Sequence, residues 1–426
     1  MIISTIISIL FFLSVSVFLL RLTGINPKNN IVASLVCNKY QTHTNEKPDF
    51  YELMFIFFIA LCFRVLVFLA SYAICGLMLD NIKSLPMADF LHRYTAGDAQ
   101  HYIDIAKSGY GQLIENGEHL MLVFFPLYPI LIKIFSVFIP NGMLCAIIIS
   151  WLAFSFGTVI MYKLAISDYD KNTAIFSIVL LSVSPFAFFF GTAMTESVFF
   201  LTAMLTFYAI RRHTWWRVGV FGMLCALSRS VGVLMIIPAF FEWYEDNKPI
   251  MAIKNHDKKI LKEFLGFLPV LLMIWGTLIY LFINYQTTGN PFIFLKYQSE
   301  HWHQNLQFFG KSVKTLADYA TGDISVALAI FIPGIISALV SVIVILYSSN
   351  KTRLMYLSFM LVYFAYNAGA SWPISLSRYL CCMFPAYFEV AEALEKYKWL
   401  KYPLITISAI LFGIYFSGYL MWKQVM

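Results

Sequence analysis

An all-α polytopic membrane protein is the fold class this sequence predicts, and three observations predict it. Only 12% of the 426 residues are charged and 60% are hydrophobic, whereas a soluble domain carries about twice that charged share. Apolar runs recur along the whole chain, and roughly 20 apolar residues span a bilayer as a helix. The runs are continuous rather than short and alternating, which argues against a β-barrel. The net charge of +7 lies mainly in short loops, a pattern of membrane topology rather than nucleic-acid binding.

The elements follow in order. About twelve transmembrane helices are predicted, near residues 1–20, 52–78, 143–164, 173–191, 196–210, 214–228, 230–243, 264–285, 323–347, 352–370, 379–394 and 402–421. No Lys or Arg precedes residues 1–20 and no small-residue cleavage site follows, so an uncleaved span is expected rather than a signal peptide. Residues 122–138, LVFFPLYPILIKIFSVF, are apolar but contain Pro126, Pro129 and Lys133, which suit a spanning helix poorly. Residues 127–138 are expected as a helix lying at the interface, inside a large loop, 81–142.

Basic residues set the expected orientation. With both termini outside, the inner side receives Arg21, Lys28, Lys39, Lys47, Lys163, Lys171, Arg211, Arg212 and Arg217. It also receives the lysines between Lys248 and Lys262, then Lys351, Arg353, Lys396, Lys398 and Lys401. These are most of the 30 basic residues of the chain, and inner loops of membrane proteins are enriched in Lys and Arg. If residues 122–138 crossed the membrane, the basic loops downstream would face outward instead.

No linker or compositional break divides the chain, so residues 1–426 are expected as one transmembrane domain. No fixed-period repeat, GxxxxGK[ST], GxGxxG or HExxH motif is present, so no nucleotide-phosphate loop is expected. The seven cysteines, at 37, 62, 75, 145, 225, 381 and 382, show no metal-ligand spacing. The Cys381–Cys382 pair fits helix packing better than redox chemistry.

Charges in or beside apolar spans are costly and usually functional. The candidates are Asp98, His101 and Asp104 in RYTAGDAQHYIDIAKSGY (93–110), Glu118, Glu196, Arg229, the YQSEHWHQN cluster (297–305) and Arg378. In the expected topology all fall on or near the outer face, so one polar site is assembled there from distant parts of the chain. A carboxylate can act as general base on a hydroxyl, Arg and His suit a phosphate, and Tyr and Trp suit sugar faces and the interface. Each residue also has a plainer reading. Asp98 and His101 fit a pair on a loop helix, and Asp104 a solvated helix position. Glu118 fits a plain loop charge, and Glu196 a helix N-terminus after Thr195. Arg229 fits a backbone hydrogen bond, and Arg378 the end of a span. His301 and His303 diverge on a helix and do not suit a metal pair.

Six blocks in order carry a family resemblance. GDAQHYIDIAKSGY (97–110) resembles the Trp-Asp-x-x-His-Phe and Gly-Tyr block of the PIG-V family. EHLMLVFFPLYP (118–129) resembles its Phe-Phe-Pro block, and SPFAFFFGTAMTESVFFLTAMLTFYAIRR (184–212) its Thr/Ser-Glu-Ser/Ala segment. GMLCALSRSVGVLMIIP (222–238), GNPFIFLKYQSEHWHQN (289–305) and SLSRYLCCMFP (375–385) resemble its later Arg, His-Trp and Arg-Tyr/Phe blocks. That family contains the polytopic mannosyltransferases that add the second mannose to GPI anchors, with prokaryotic relatives, in the GT-C class of membrane glycosyltransferases. The resemblance covers roughly residues 90–390. Two features depart from it: Gly97 stands at the family's Trp, and the first span with loop 21–51 has no counterpart.

The resemblance implies a GT-C-like bundle and transfer of a hexose, mannose by analogy, from a polyprenyl-phosphate sugar to a lipid or glycan acceptor, with inversion. It implies Asp98 as the general base and His101 as its orienting partner or a contact to the donor phosphate. Arg229 and Arg378 would stabilise the leaving phosphate. Arg93, Tyr102, Glu118, Glu196, Gln298, His301, Trp302 and Tyr379 would bind substrate. No nucleotide cofactor is implied, and weak or no metal dependence is expected because the outer loop lacks an Asp-x-Asp pair. The Ile-, Lys- and Asn-rich composition suggests a low-GC bacterium, hence undecaprenyl phosphate and the plasma membrane. Two other classes remain: a transporter or flippase of a lipid-linked or polar solute, and a scaffold subunit with a degenerate site. Transporters often carry repeated halves and mid-membrane charges, which this chain does not show.

Overall fold

The computed structural model describes residues 2–23, 48–79, 85–256, 258–423 and 425. Lys28, Lys39, Lys47 and Cys37 of the basic loop lie outside the described residues. The described chain is α-helical, with isolated bridges as its only extended pairing. Its principal helices are α1 (Ile2–Thr23), α2 (Phe50–Met78), α3 (Met87–Tyr94), α4 (Ala99–Ser108), α5 (Leu127–Phe135), α6 (Gly142–Asp168) and α7 (Lys171–Val183). Then come α8 (Glu196–Arg211), α9 (Trp215–Ser228), α10 (Ile236–Asn247), α11 (Lys259–Phe267), α12 (Met273–Thr288), α13 (Ile293–His301) and α14 (Phe309–Tyr319). The last are α15 (Ile332–Ser348), α16 (Leu354–Ala368), α17 (Leu376–Leu380), α18 (Pro385–Lys396) and α19 (Lys398–Leu420).

Among the described residues, 6 continuous helical stretches are long and apolar enough to cross a bilayer: 2–23, 50–78, 142–168, 259–288, 324–348 and 398–420. The chain is therefore a polytopic membrane protein, but with six full-length spans where twelve were expected. The other apolar segments form shorter helices, and two causes are visible. Ser184 and Pro185 stop α7 after 13 residues, and a 3₁₀ turn at Ala187–Phe190 follows; proline lacks the amide that would continue the helix. The segment 230–243 likewise opens as a 3₁₀ turn, Ser230–Met235, before α10. At the first of these breaks Phe186, Ala187, Phe188, Phe189 and Phe190 are all buried, so protein rather than lipid surrounds the interrupted backbone there.

Segment 122–138 does not span. It breaks at Phe124–Pro126, and α5 has 9 residues, about 14 Å of helix against a hydrocarbon core of about 30 Å. Tyr128 anchors it by donating to the Ala146 carbonyl of α6 at 2.8 Å.

Close packing follows from small residues. A Cβ on Gly219 would lie 2.1 Å from the Pro269 carbonyl oxygen, and one on Gly276 would lie 2.4 Å from that of Met223, so α9 and the 268–288 segment meet backbone to backbone. The first span, which has no counterpart in the resembling family, docks into the bundle. Phe11 meets Phe309 edge-on at 4.8 Å, and Arg21 donates to the Ser349 carbonyl at 2.7 Å.

Two polar layers lie at opposite helix ends. One joins Asp168 at the end of α6 to Arg211 at the end of α8 (2.8 Å), and Glu242 of α10 to Arg353 before α16. The other gathers at the start of α8 and the ends of α9 and α19. With 16 residues, α8 separates the two layers by about 24 Å.

Candidate active site

The site is built where helices stop. Asp98 sits just before α4, after Gly97, whose φ of +65° lies in the left-handed region. Glycine occupies that region without strain and a tryptophan does not. The departure from the family's Trp at this position thus has a local backbone reason. Glu196 opens α8, Arg229 follows the last residue of α9, and Arg378 lies in the five-residue α17.

These four side chains form one chain of ion pairs. Arg378 Nη1 donates to Asp98 Oδ2 at 3.0 Å, and its Nε donates to Glu196 Oε1 at 2.6 Å. Arg229 Nη1 reaches the same Glu196 oxygen at 2.8 Å. Aromatic faces back both guanidinium groups: Phe189 lies 4.6 Å from Arg378 Cζ, and Tyr379 lies 4.7 Å from Arg229 Cζ, distances at which a cation is attracted to the ring. Burial lowers the Arg378 pKa, but Glu196 and then Asp98 outweigh it and hold the group well above its ordinary value.

Exposure is highest at Asp98 and lowest at the shared Glu196. Side-chain exposure is 39% for Asp98, 13% for Arg229, 6% for Arg378 and 1% for Glu196. Asp98, Arg229 and Arg378 line a cavity of about 440 Å³, and Glu196 lies behind its wall. Asp98 Oδ2 is taken by Arg378, and among the described residues Oδ1 accepts no hydrogen bond. The cavity therefore holds a carboxylate pinned at one oxygen with the other available.

The cavity walls also include Tyr102, Phe124, Gln298, Trp302 and Tyr379. Tyr102 packs edge-on to Phe124 and Tyr128 at 5.2 and 5.4 Å. Burial first, and then Asp98, push its phenol above its ordinary pKa, so it stays a neutral hydroxyl.

Several sequence candidates stand elsewhere. Glu196 was expected in the substrate pocket, but it is buried and shared between two arginines, so it holds the cations rather than the ligand. It is also not explained by N-terminal capping, because Thr195 makes no side-chain cap bond. His101 packs its ring on Phe124 at 5.0 Å; it makes no hydrogen bond to Asp98, and Arg378 holds that carboxylate instead. Arg93 donates to the Leu420 carbonyl at 3.2 Å. Gln100 donates to Asp104 along α4 at 2.8 Å, the solvated-helix reading of Asp104. Glu118 pairs with His301 at 2.8 Å and with Lys296 at 3.5 Å, tying α13 to the turn before Leu120–Val123. None of His101, Arg93, Asp104, Glu118 and His301 lines the cavity.

One donor set could be weighed for a metal. Glu118, Glu300 and His301 bring ligand atoms within 4.8 Å of one another, all on partly or fully exposed residues. Lys296 Nζ lies 3.5 Å from Glu118 and 3.6 Å from Glu300, so a cation of the chain itself already serves these carboxylates.

Other wall residues carried no sequence signal. Phe189 read as one of many core aromatics. Tyr419 donates to the Ala96 carbonyl at 2.9 Å, which fixes the Asp98 loop to the end of α19. Trp422 and Lys423 follow the last expected span and belong to none of the sequence candidates.

Neither a protein-family model nor a curated protein matches the chain. Among solved structures, the chain is similar to ArnT from Cupriavidus metallidurans bound to undecaprenyl phosphate. The identity is 15% and the TM-score 0.46, over 78% of this chain and 60% of that one. The chain thus spans less than two thirds of the length of that protein.

Proposed function

We propose that this chain is a GT-C-type membrane glycosyltransferase that moves a sugar from a polyprenyl-phosphate donor to an acceptor hydroxyl, with inversion. The observation that carries the reading is Asp98: one oxygen held by Arg378, the other available, in a cavity edged with cations. The acceptor hydroxyl gives its proton to Asp98 Oδ1 as its oxygen attacks the anomeric carbon. The bond from that carbon to the phosphate oxygen breaks on the opposite face, and its electron pair stays with the phosphate. The donor is a phosphodiester with one negative charge, and the leaving monoester approaches two. Cations already fixed in a dry wall stabilise that growing charge without reorganising.

The six ordered sequence blocks support this reaction over transport, as does the meeting of Asp98, Glu196, Arg229 and Arg378 at one end of the bundle rather than at mid-depth. Mannose as the sugar rests on the family resemblance alone. A plasma-membrane site facing outward rests on the distribution of Lys and Arg. We further propose that transfer needs no divalent metal, since among the described residues the cavity presents a single carboxylate side chain, Asp98, against three cations.

The test is transfer by purified protein from polyprenyl-phosphate [¹⁴C]mannose to a lipid extract, beside Asp98→Asn, in the presence and absence of EDTA. The reading requires transfer by the native chain, loss in the variant with donor binding kept, and indifference to EDTA. Equal transfer by both proteins removes Asp98 from the mechanism. Donor that crosses a sealed vesicle unmodified would identify a flippase.

A further inference from the structure

The end of α19 completes the cavity wall in an unusual way. Trp422 has φ +58°, a left-handed region that a bulky side chain enters only under strain. Lys423 N donates back to the Gly418 carbonyl at 3.0 Å. That bond closes a Schellman-type helix end, where the Trp422 position is normally glycine. The turn reverses the chain, so Lys423 and Val425 line the same cavity as Asp98.

Three contacts hold this strained turn. The Trp422 ring stacks on His92 at 5.2 Å with 25° between planes. Arg93 donates to the Leu420 carbonyl, and Tyr419 donates to the Ala96 carbonyl. All three run to the short segment from α3 to Asp98. Strain held in place by its surroundings at a cavity wall points to function.

The charges of the site say what the turn does. Arg378 is paired with Asp98 and Glu196, and Arg229 with Glu196. Lys423 also lines the cavity and has no carboxylate partner among the described residues. Among the described residues two carboxylate side chains therefore stand against three cations, and the surplus charge is that of Lys423. A lipid phosphodiester carries one negative charge and matches the surplus.

We propose that the Trp422–Lys423 turn is a substrate-binding element in which Lys423 Nζ pairs with the phosphate of the polyprenyl-phosphate donor. The assignment rests on the glycosyl-transfer reading and gives it a different anchor. Arg229 and Arg378 chiefly hold Glu196 and Asp98, while Lys423 takes the ligand's charge. As the anomeric carbon–oxygen bond breaks, Asp98 gains the acceptor proton and the phosphate gains the electron pair. Lys423 then faces a monoester of nearly twice the charge.

The experiment measures binding of undecaprenyl phosphate and of undecaprenol to the full chain in neutral-lipid nanodiscs, for the native protein, Lys423→Gln and Lys423→Arg. The native chain is expected to prefer the phosphate. Lys423→Gln is expected to lose about tenfold or more of that affinity, the scale of one charge-assisted hydrogen bond, with less salt dependence. Lys423→Arg is expected to retain most of it. Preference for the phosphate in the native chain with no change in Lys423→Gln overturns this assignment and leaves glycosyl transfer standing. No preference in the native chain overturns both. Lys423 is exposed, so the variants should unfold at the native temperature, and a matched loss for phosphate and alcohol would mark a structural defect and overturn the ion pair.

Discussion

Glu196 is the residue on which the charge balance of the site turns. One of its oxygens takes both arginines, and the other, buried, has no hydrogen bond among the described residues. Glu196→Gln removes the shared counter-charge and leaves two buried guanidinium groups facing each other. Breaking a buried pair from one side costs about 3–5 kcal/mol, so a large fall in unfolding temperature is expected together with lost transfer. Asp98→Asn should behave differently, because Asp98 is half-exposed. Its unfolding temperature should stay near native while kcat falls by about 10²–10⁴, the usual share of a general base. Equal destabilisation by the two substitutions would show that Asp98 serves the fold rather than the reaction. Gly97→Ala tests the backbone beneath Asp98. A Cβ there would meet Met194 at an ordinary 3.6 Å, so the expected cost of about 1 kcal/mol is conformational and should appear in thermal unfolding and in kcat.

Among the elements, the break between α7 and α8 matters most. The Ala187–Phe190 turn carries Phe189, the ring beneath Arg378. Arg64, within the α2 span, donates to the Ala187 carbonyl at 3.0 Å and stacks 3.8 Å over Phe154. Its Nε and Nη2 are buried without hydrogen bonds, and it has no carboxylate partner among the described residues. Replacing a buried, poorly compensated charge by an apolar side chain is often neutral or stabilising. Arg64→Met should therefore leave thermal stability unchanged or raised, yet lower kcat through a loosened Phe189 platform. A fall in stability with unchanged kcat would make Arg64 a plain structural residue. This division mirrors what could be read from sequence. Asp98, Glu196, Arg229 and Arg378 stood out because charges are rare in such surroundings. Their pairing did not, since Arg378 and Asp98 are 280 residues apart and no local period links them. Segment 173–191 read as one span because hydropathy does not distinguish a lipid-facing helix from an aromatic turn buried in protein. The Trp422 turn was hidden because no glycine marks that helix end, and only tertiary contacts hold the left-handed backbone.

At the scale of the whole molecule, the two polar layers are different in kind, and the difference leads to a testable orientation. The layer with Asp168, Arg211, Glu242 and Arg353 is buried structural pairing, edged by exposed basic residues such as Arg212, Arg217, Lys248, Lys254 and Lys258. The other layer is the cavity end, where Asp98 and Lys423 face open space. Loops rich in Lys and Arg stay on the cytoplasmic side, so the cavity should open outward, toward a donor presented in the outer leaflet. Cysteine accessibility tests this directly. Cys75, Cys145, Cys225, Cys381 and Cys382 are buried, and Cys62 is exposed along the α2 span, where a polar reagent does not reach it. With Cys37 replaced by Ser, the background should be low. Glu300→Cys, on α13 beside the cavity but outside its wall, should react with an impermeant maleimide on intact cells. Asn255→Cys, in the Lys248–Lys262 loop at the other end, should react only after permeabilisation. The reverse pattern would put the cavity on the cytoplasmic side, and the donor would then have to be used in the leaflet where it is made. That outcome would leave the chemistry of Asp98 intact and overturn the orientation.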